Sequence, residues 1–188
     1  MKTFRTLKQL LEEWEFVNDY STGYKFNRSC KTLKEVFEKC PLYLRIWRLR
    51  MGYHQFAKHC PWNNINGRQW VKLLLDQPQY AKHCDWNKLS SENWVDLLLT
   101  LPSFSKYCNF NKINANGWVV LLGCRPEFSS YCNFKKLRSK HWNNILFTDP
   151  DYIVYCSKRM LEKLDWSFIL KYQPELNNFY NENFNYEK

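Results

Sequence analysis

Five cysteines recur at one spacing, Cys60, Cys84, Cys108, Cys132 and Cys156, and His59 and His83 stand directly before the first two. Thiols beside imidazoles can ligate a metal or form an activated nucleophile. The pattern argues against both. No C-x-x-C pair occurs, and His54 and His141 complete no ligand spacing. A nucleophile is needed once, whereas this cysteine returns every 24 residues. A disulfide framework is excluded on distance. Packed helices lie about 8–10 Å apart, while a bridge needs Cα atoms within about 7 Å. All eight cysteines are therefore read as free, the five periodic ones as small buried apolar residues. Glu12, Glu13 and Glu15 could pose as a catalytic carboxylate pair, but on a helix Glu12 and Glu13 point apart, which is a solvated face. Five scattered glycines build no phosphate loop. No constellation for catalysis, metal or cofactor remains, so the chain reads as non-enzymatic, with no small-molecule substrate.

The cations are more informative. The formal charge is +10, and residues 25–58 carry nine basic residues against Glu35 and Glu38. This segment alone holds +7, leaving +3 for the other 154 residues. The candidate binding residues there are Lys31, Lys34, Lys39, Arg45, Arg48, Arg50 and Lys58. Such a field attracts nucleic acid or an acidic protein surface. A second group, Lys135, Lys136 and Arg138, with Lys140, falls in an inter-repeat turn. A third forms a column: Lys58, Lys82 and Lys106, each followed by His59, His83 or Tyr107, then Tyr131 and Tyr155. Basic groups beside rings can track phosphates and stack bases. The plainer reading is that Lys is the exposed residue of its helix and the ring packs between units. Because the Lys row stops at Ser130 and Val154, the plainer reading is preferred.

These residues sit on a repeat. Tryptophans fall at 70, 94, 118, 142 and 166, and prolines at 78, 102, 126, 150 and 174, all at the period of the cysteines. A repeat architecture follows. Asn66, Ser90 and Asn114 precede the Trp helix as N-caps, and Trp70, Leu73 and Leu74 make its apolar stripe. Gln77 and Leu101, each before a proline, should end that helix, and Pro78 and Pro102 should open the next. Tyr80 and Cys84 would share a face of this second helix, and Trp86 and Leu89 would be buried on the return. The expected fold is an all-α solenoid of short helix pairs. The alternative is an α/β solenoid in which segments such as Trp86–Leu89 are short strands or 3₁₀ turns.

The expected organisation is a basic helical cap over residues 1–52, the array over 53–176 and a tail over 177–188. The cap would hold a helix at 4–17, a second helix capped by Thr32 and a basic helix from Leu42 to Met51. No apolar run reaches the ~18 residues of a membrane span, and the start lacks a signal-peptide core. A cytoplasmic protein is expected.

The unit W-x-x-L-L…P-x-[FY]-x-x-x-C-x-[WF]-x-x-[LI] over residues 53–176 resembles bacterial tandem-repeat proteins in which copies run in long, nearly identical series. The resemblance implies a stacked repeat fold and brings no activity, cofactor or site residue. Divergence between the copies and an unrelated N-terminal third set this chain apart. The expected function is a scaffold that binds an acidic or RNA-loaded protein, such as an RNA-guided defence nuclease that it would inhibit. The alternative is direct binding of RNA or another single-stranded nucleic acid.

Overall fold

The structure, a computed structural model, describes residues 32, 35, 40 and 42–184. The helix expected at 4–17 and most of the next lie outside them. At Thr32 the anticipated cap contact is present, with Oγ1 accepting from the Glu35 N–H at 3.2 Å. Every regular element among the described residues is helical, and none is a strand. The fold is an all-α solenoid of short helices.

From residue 42 onward the α-helices among the described residues are α1 (Leu42–Arg50), α2 (Gly67–Asp76), α3 (Ser91–Thr100), α4 (Ala115–Cys124), α5 (Ser139–Thr148), α6 (Lys158–Leu161), α7 (Trp166–Tyr172) and α8 (Asn177–Phe184). Two compact units, Met1–Leu89 and Ser90–Lys188, divide the chain inside the array. In the first, α1 packs on α2; in the second, α3 packs on α4, α4 on α5 and α5 on α7.

Each Trp helix starts where its cap dictates. Side chains of Asn66, Ser90 and Asn114 accept from the backbone N–H three residues on. Gln69 and Asn93 answer by accepting from the cap residue's own N–H, closing a capping box. Arg138 occupies the same column without a cap acceptor, and there Nδ1 of buried His141 accepts from the Arg138 N–H at 3.0 Å. That acceptor role requires a neutral ring nitrogen. Desolvation, with Lys140 and Arg138 nearby, holds the His141 pKa below its ordinary value. Gln77 and Leu101 end their helices as the prolines require. Trp70, Leu73 and Leu74 are buried, and so are Trp94, Trp118 and Trp142 with their leucines or isoleucines.

The second helix of each repeat differs from expectation. Pro78–His83, Pro102–Tyr107, Pro126–Tyr131 and Pro150–Tyr155 are six-residue 3₁₀ helices. A short 3₁₀ turn follows each of the first three, at Trp86–Lys88, Phe110–Lys112 and Phe134–Lys136, and another, Trp62–Asn64, follows the 3₁₀ helix His54–His59, in line with the 3₁₀ alternative. The tight period explains it. Ten α-residues climb about 15 Å at 1.5 Å each, and six 3₁₀ residues return about 12 Å at 2.0 Å each. An α-helical return would need several more residues than 24 allows.

A 3₁₀ helix aligns residues three apart. Tyr80 therefore shares its edge with His83, and Cys84 follows in extended backbone as the C-cap. Trp86 is only half-buried, while Leu89 is buried. Side chains at the helix exits tie successive helices together: Gln77 donates to the Arg50 carbonyl at 3.0 Å, Arg125 to Leu99 at 2.6 Å and Gln173 to Phe147 at 2.6 Å. Gly117 sits where α4 meets α3, and a Cβ there would lie 2.8 Å from the Ser91 hydroxyl oxygen and 3.1 Å from Val95. Asn177–Phe184 forms α8, whose Phe179, Tyr180 and Phe184 rings pack on Trp166.

Candidate functional site

The cap arginines, expected to form a free positive surface, hold the first unit together instead. Arg45 donates from Nε to the Cys40 carbonyl and from Nη1 to the His59 carbonyl, both at 2.6 Å. Arg48 is 2% exposed, its guanidinium 5.0 Å from the centres of both the Trp47 and Tyr53 rings. Arg50 pairs with Asp76 of α2. Gly52, at φ +86°, lets the chain leave α1 in a left-handed turn that brings Tyr53 back to the Arg48 carbonyl at 3.0 Å. Tyr53 thereby reaches the guanidinium. Charge counting reads these residues as surface because it ignores where the guanidinium ends. Lys31, Lys34 and Lys39 lie outside the described residues, and Lys58 is exposed.

The cysteine column behaves as packing. Burial pushes the thiols of Cys60, Cys84, Cys108, Cys132 and Cys156 up to about 12, far from a reactive thiolate. Cys40 is pushed equally high by burial, against the lowering pull of Arg45 and Arg48. The seven described cysteines are all free, and Cys124 stands apart as exposed. His83, beside Cys84, and His54 are engaged with rings. His83 lies flat on Trp62, centres 4.4 Å apart at 2°, and His54 Nδ1 meets the Tyr80 hydroxyl at 2.5 Å. Desolvation, then Lys82, lowers the His83 pKa. Among the described residues no three His, Cys, Asp or Glu side chains gather as metal ligands would. Native protein treated with iodoacetamide should therefore label Cys124 at least about tenfold faster than Cys40 or the five column cysteines, since the thiolate is the attacking form. Equal labelling across these sites, followed by peptide mass spectrometry, would refute the packing role.

The ring column is where cations and aromatics meet. At Trp62, Phe110 and Phe134 the ring of the short 3₁₀ turn lies on the ring that ends the next six-residue 3₁₀ helix, His83, Tyr131 or Tyr155. Phe110 stacks on Tyr131 at 4.2 Å and 15°, and Phe134 on Tyr155 at 4.5 Å and 7°. The opposite flank of each turn ring rests on the buried Trp of its helix, Trp118 or Trp142. The expected packing of this column between units is present. Even so, Tyr107, Tyr131 and Tyr155 keep 40%, 54% and 52% of their surface in solvent. The Tyr131 and Tyr155 rings are thus stacked and open at once.

Of the remaining expected site residues, Lys82 and Lys106 are exposed, and Lys106 lies over the Tyr107 ring at 5.0 Å. Lys135, Lys136 and Arg138 are exposed on and just after the turn that supplies Phe134. A cavity of about 290 Å³ opens there, between that turn and α6. Phe134, Trp142 and Tyr155 give it rings, and Lys135, Arg159 and Lys163 give it charge. Sequence reasoning omitted Arg159 and Lys163. Their signal was Lys158, which stands where Trp62, Trp86, Phe110 and Phe134 stand in other repeats.

Compared with protein-family models, curated proteins and solved structures, the chain matches none. Among the described residues no helix is long and apolar enough to cross a membrane.

Proposed function

We propose that the protein is a non-enzymatic repeat scaffold that binds single-stranded nucleic acid along the ring column of its second unit. The observation that carries this reading is the pair of stacked but half-open tyrosines, Tyr131 and Tyr155, together with the half-open Tyr107 under Lys106 and with Lys135 and Lys136 on the turn whose Phe134 ring backs Tyr155. Sequence-tolerant binders of single strands combine these two features, rings for bases and cations for phosphates. Fixing each ring by stacking lowers the entropy lost when a base settles on it. An acidic or RNA-loaded protein is the second reading. Its supporting observation is the exposed trio Phe147, Phe168 and Tyr172, with centres 5.1–5.8 Å apart, because aromatic residues anchor protein interfaces.

The test is a salt titration of a short oligouridylate against the wild type and a charge-reversed variant of Lys106, Lys135, Lys136 and Arg138. The wild type should bind, with a log–log slope that loses about 0.7 for each phosphate contact removed in the variant. Unchanged affinity and slope would refute the reading. Duplex binding as tight as single-strand binding would refute it too, because stacked base pairs offer no free faces to the tyrosines.

A further inference from the structure

We infer that the cavity beside α6 is a seat for one phosphorylated nucleotide unit, with the phosphate on Lys135, Arg159 and Lys163 and the base against Tyr155. This rests on the nucleic-acid reading and narrows it to one place.

Four observations converge on the cavity. It lies where the repeat breaks. In the other repeats a Trp or Phe opens the short 3₁₀ turn; here Lys158 takes that column and the turn becomes α6. A ring is replaced by a cation, and its successors Arg159 and Lys163 reach the cavity wall. The charge is of one sign, since three cations and no carboxylate are among the lining residues; Glu162, between Arg159 and Lys163 in sequence, is not one of them. All three cations are exposed, so a bound anion faces hydrated, mobile donors that can close around it. The floor is aromatic and rigid: Phe134 backs Tyr155 at 4.5 Å and is itself backed by Trp142 at 5.6 Å.

Size and donor type set the ligand class. About 290 Å³ falls just below the roughly 300–1,000 Å³ usual for small-molecule sites, room for one nucleotide and too small for a base pair. An Arg with two Lys suits a phosphate better than a carboxylate side chain, which would leave donors unmatched. Asp and Glu side chains bring no aromatic face to cover Tyr155. The same chemistry is offered by a free nucleoside monophosphate and by a nucleotide within a strand.

The full-length protein is tested by fluorescence anisotropy with a labelled oligouridylate and by calorimetry with uridine 5′-monophosphate. The variants are Arg159→Ala/Lys163→Ala and Tyr155→Leu, with Lys72→Ala, exposed on α2, as the control, and each melting curve is checked. The double variant should weaken strand binding about tenfold or more and lower the salt slope by about 1.4, two contacts at about 0.7 each. Tyr155→Leu should weaken it about tenfold through lost stacking. Saturable binding of the mononucleotide assigns the site to free nucleotides, and strand binding without it assigns the site to a nucleotide within a chain. Should Tyr155→Leu lose stability, the double variant decides alone. Strand binding by the wild type that the double variant fully retains overturns the cavity assignment and leaves the ring-column reading standing. No strand binding by the wild type, with binding to polyglutamate in its place, overturns both.

Discussion

Replacing Trp70 by alanine is expected to cost about 3–5 kcal/mol, the range for truncating a buried aromatic. Trp70 is fully buried on α2 and lies against Trp62, centres 5.7 Å apart at 17°. Its removal opens a hole beneath the ring that carries His83. For a chain of this length each kcal/mol moves Tm by about 2–4 °C, so a fall of roughly 10 °C is expected. Trp70→Phe separates packing from hydrogen bonding. The Trp70 indole N–H is buried and finds no hydrogen-bond partner among the described residues. An unsatisfied buried donor costs about 1–3 kcal/mol, and removing it offsets much of the lost ring volume. Phenylalanine should therefore keep Tm within a few degrees of wild type. Calorimetric melts of the three proteins check the order. Equal losses for Ala and Phe would mean that the indole N–H matters more than the ring.

The order of costs explains why the repeat was legible. Large rings at a fixed spacing, prolines eight residues later and Asn or Ser before the helix each act through local sterics or one hydrogen bond, and each worked where it was read. The 3₁₀ helices were less visible. Tyr80 with Cys84, four apart, suggested an α face, while the decisive pair was Tyr80 with His83, three apart. That pair repeats as Phe104 with Tyr107, Phe128 with Tyr131 and Tyr152 with Tyr155. The direction taken by the cap arginines was not legible. Charge density pointed to the cap, yet there Arg45 and Arg48 turn inward on carbonyls and rings, and Arg50 turns to Asp76. Nothing in the composition of residues 42–50 distinguishes an inward guanidinium from an outward one, because the difference lies in Gly52 and Tyr53, which fold back over it.

The inward arginines make the second large effect. Arg48→Glu should destabilise the first unit by about 3–5 kcal/mol, the cost of an uncompensated buried charge. The guanidinium sits over the negative faces of Trp47 and Tyr53, an attraction worth about 2 kcal/mol when desolvated. A carboxylate in that place meets the same faces with the wrong sign and with 2% of the residue open to water. Arg48→Met keeps the length and loses both the attraction and the desolvation cost, so its loss should be smaller, about 1–2 kcal/mol. Lys58→Glu, on an exposed side chain, should stay within about 0.5 kcal/mol. Thermal melts and oligonucleotide binding are measured on all three. The expected result is a large fall in Tm for the Glu variant, an intermediate one for Met and little for Lys58→Glu. If Arg48→Glu melts like the wild type while binding is lost, the arginine faces the partner and the cap, rather than the ring column, carries the site.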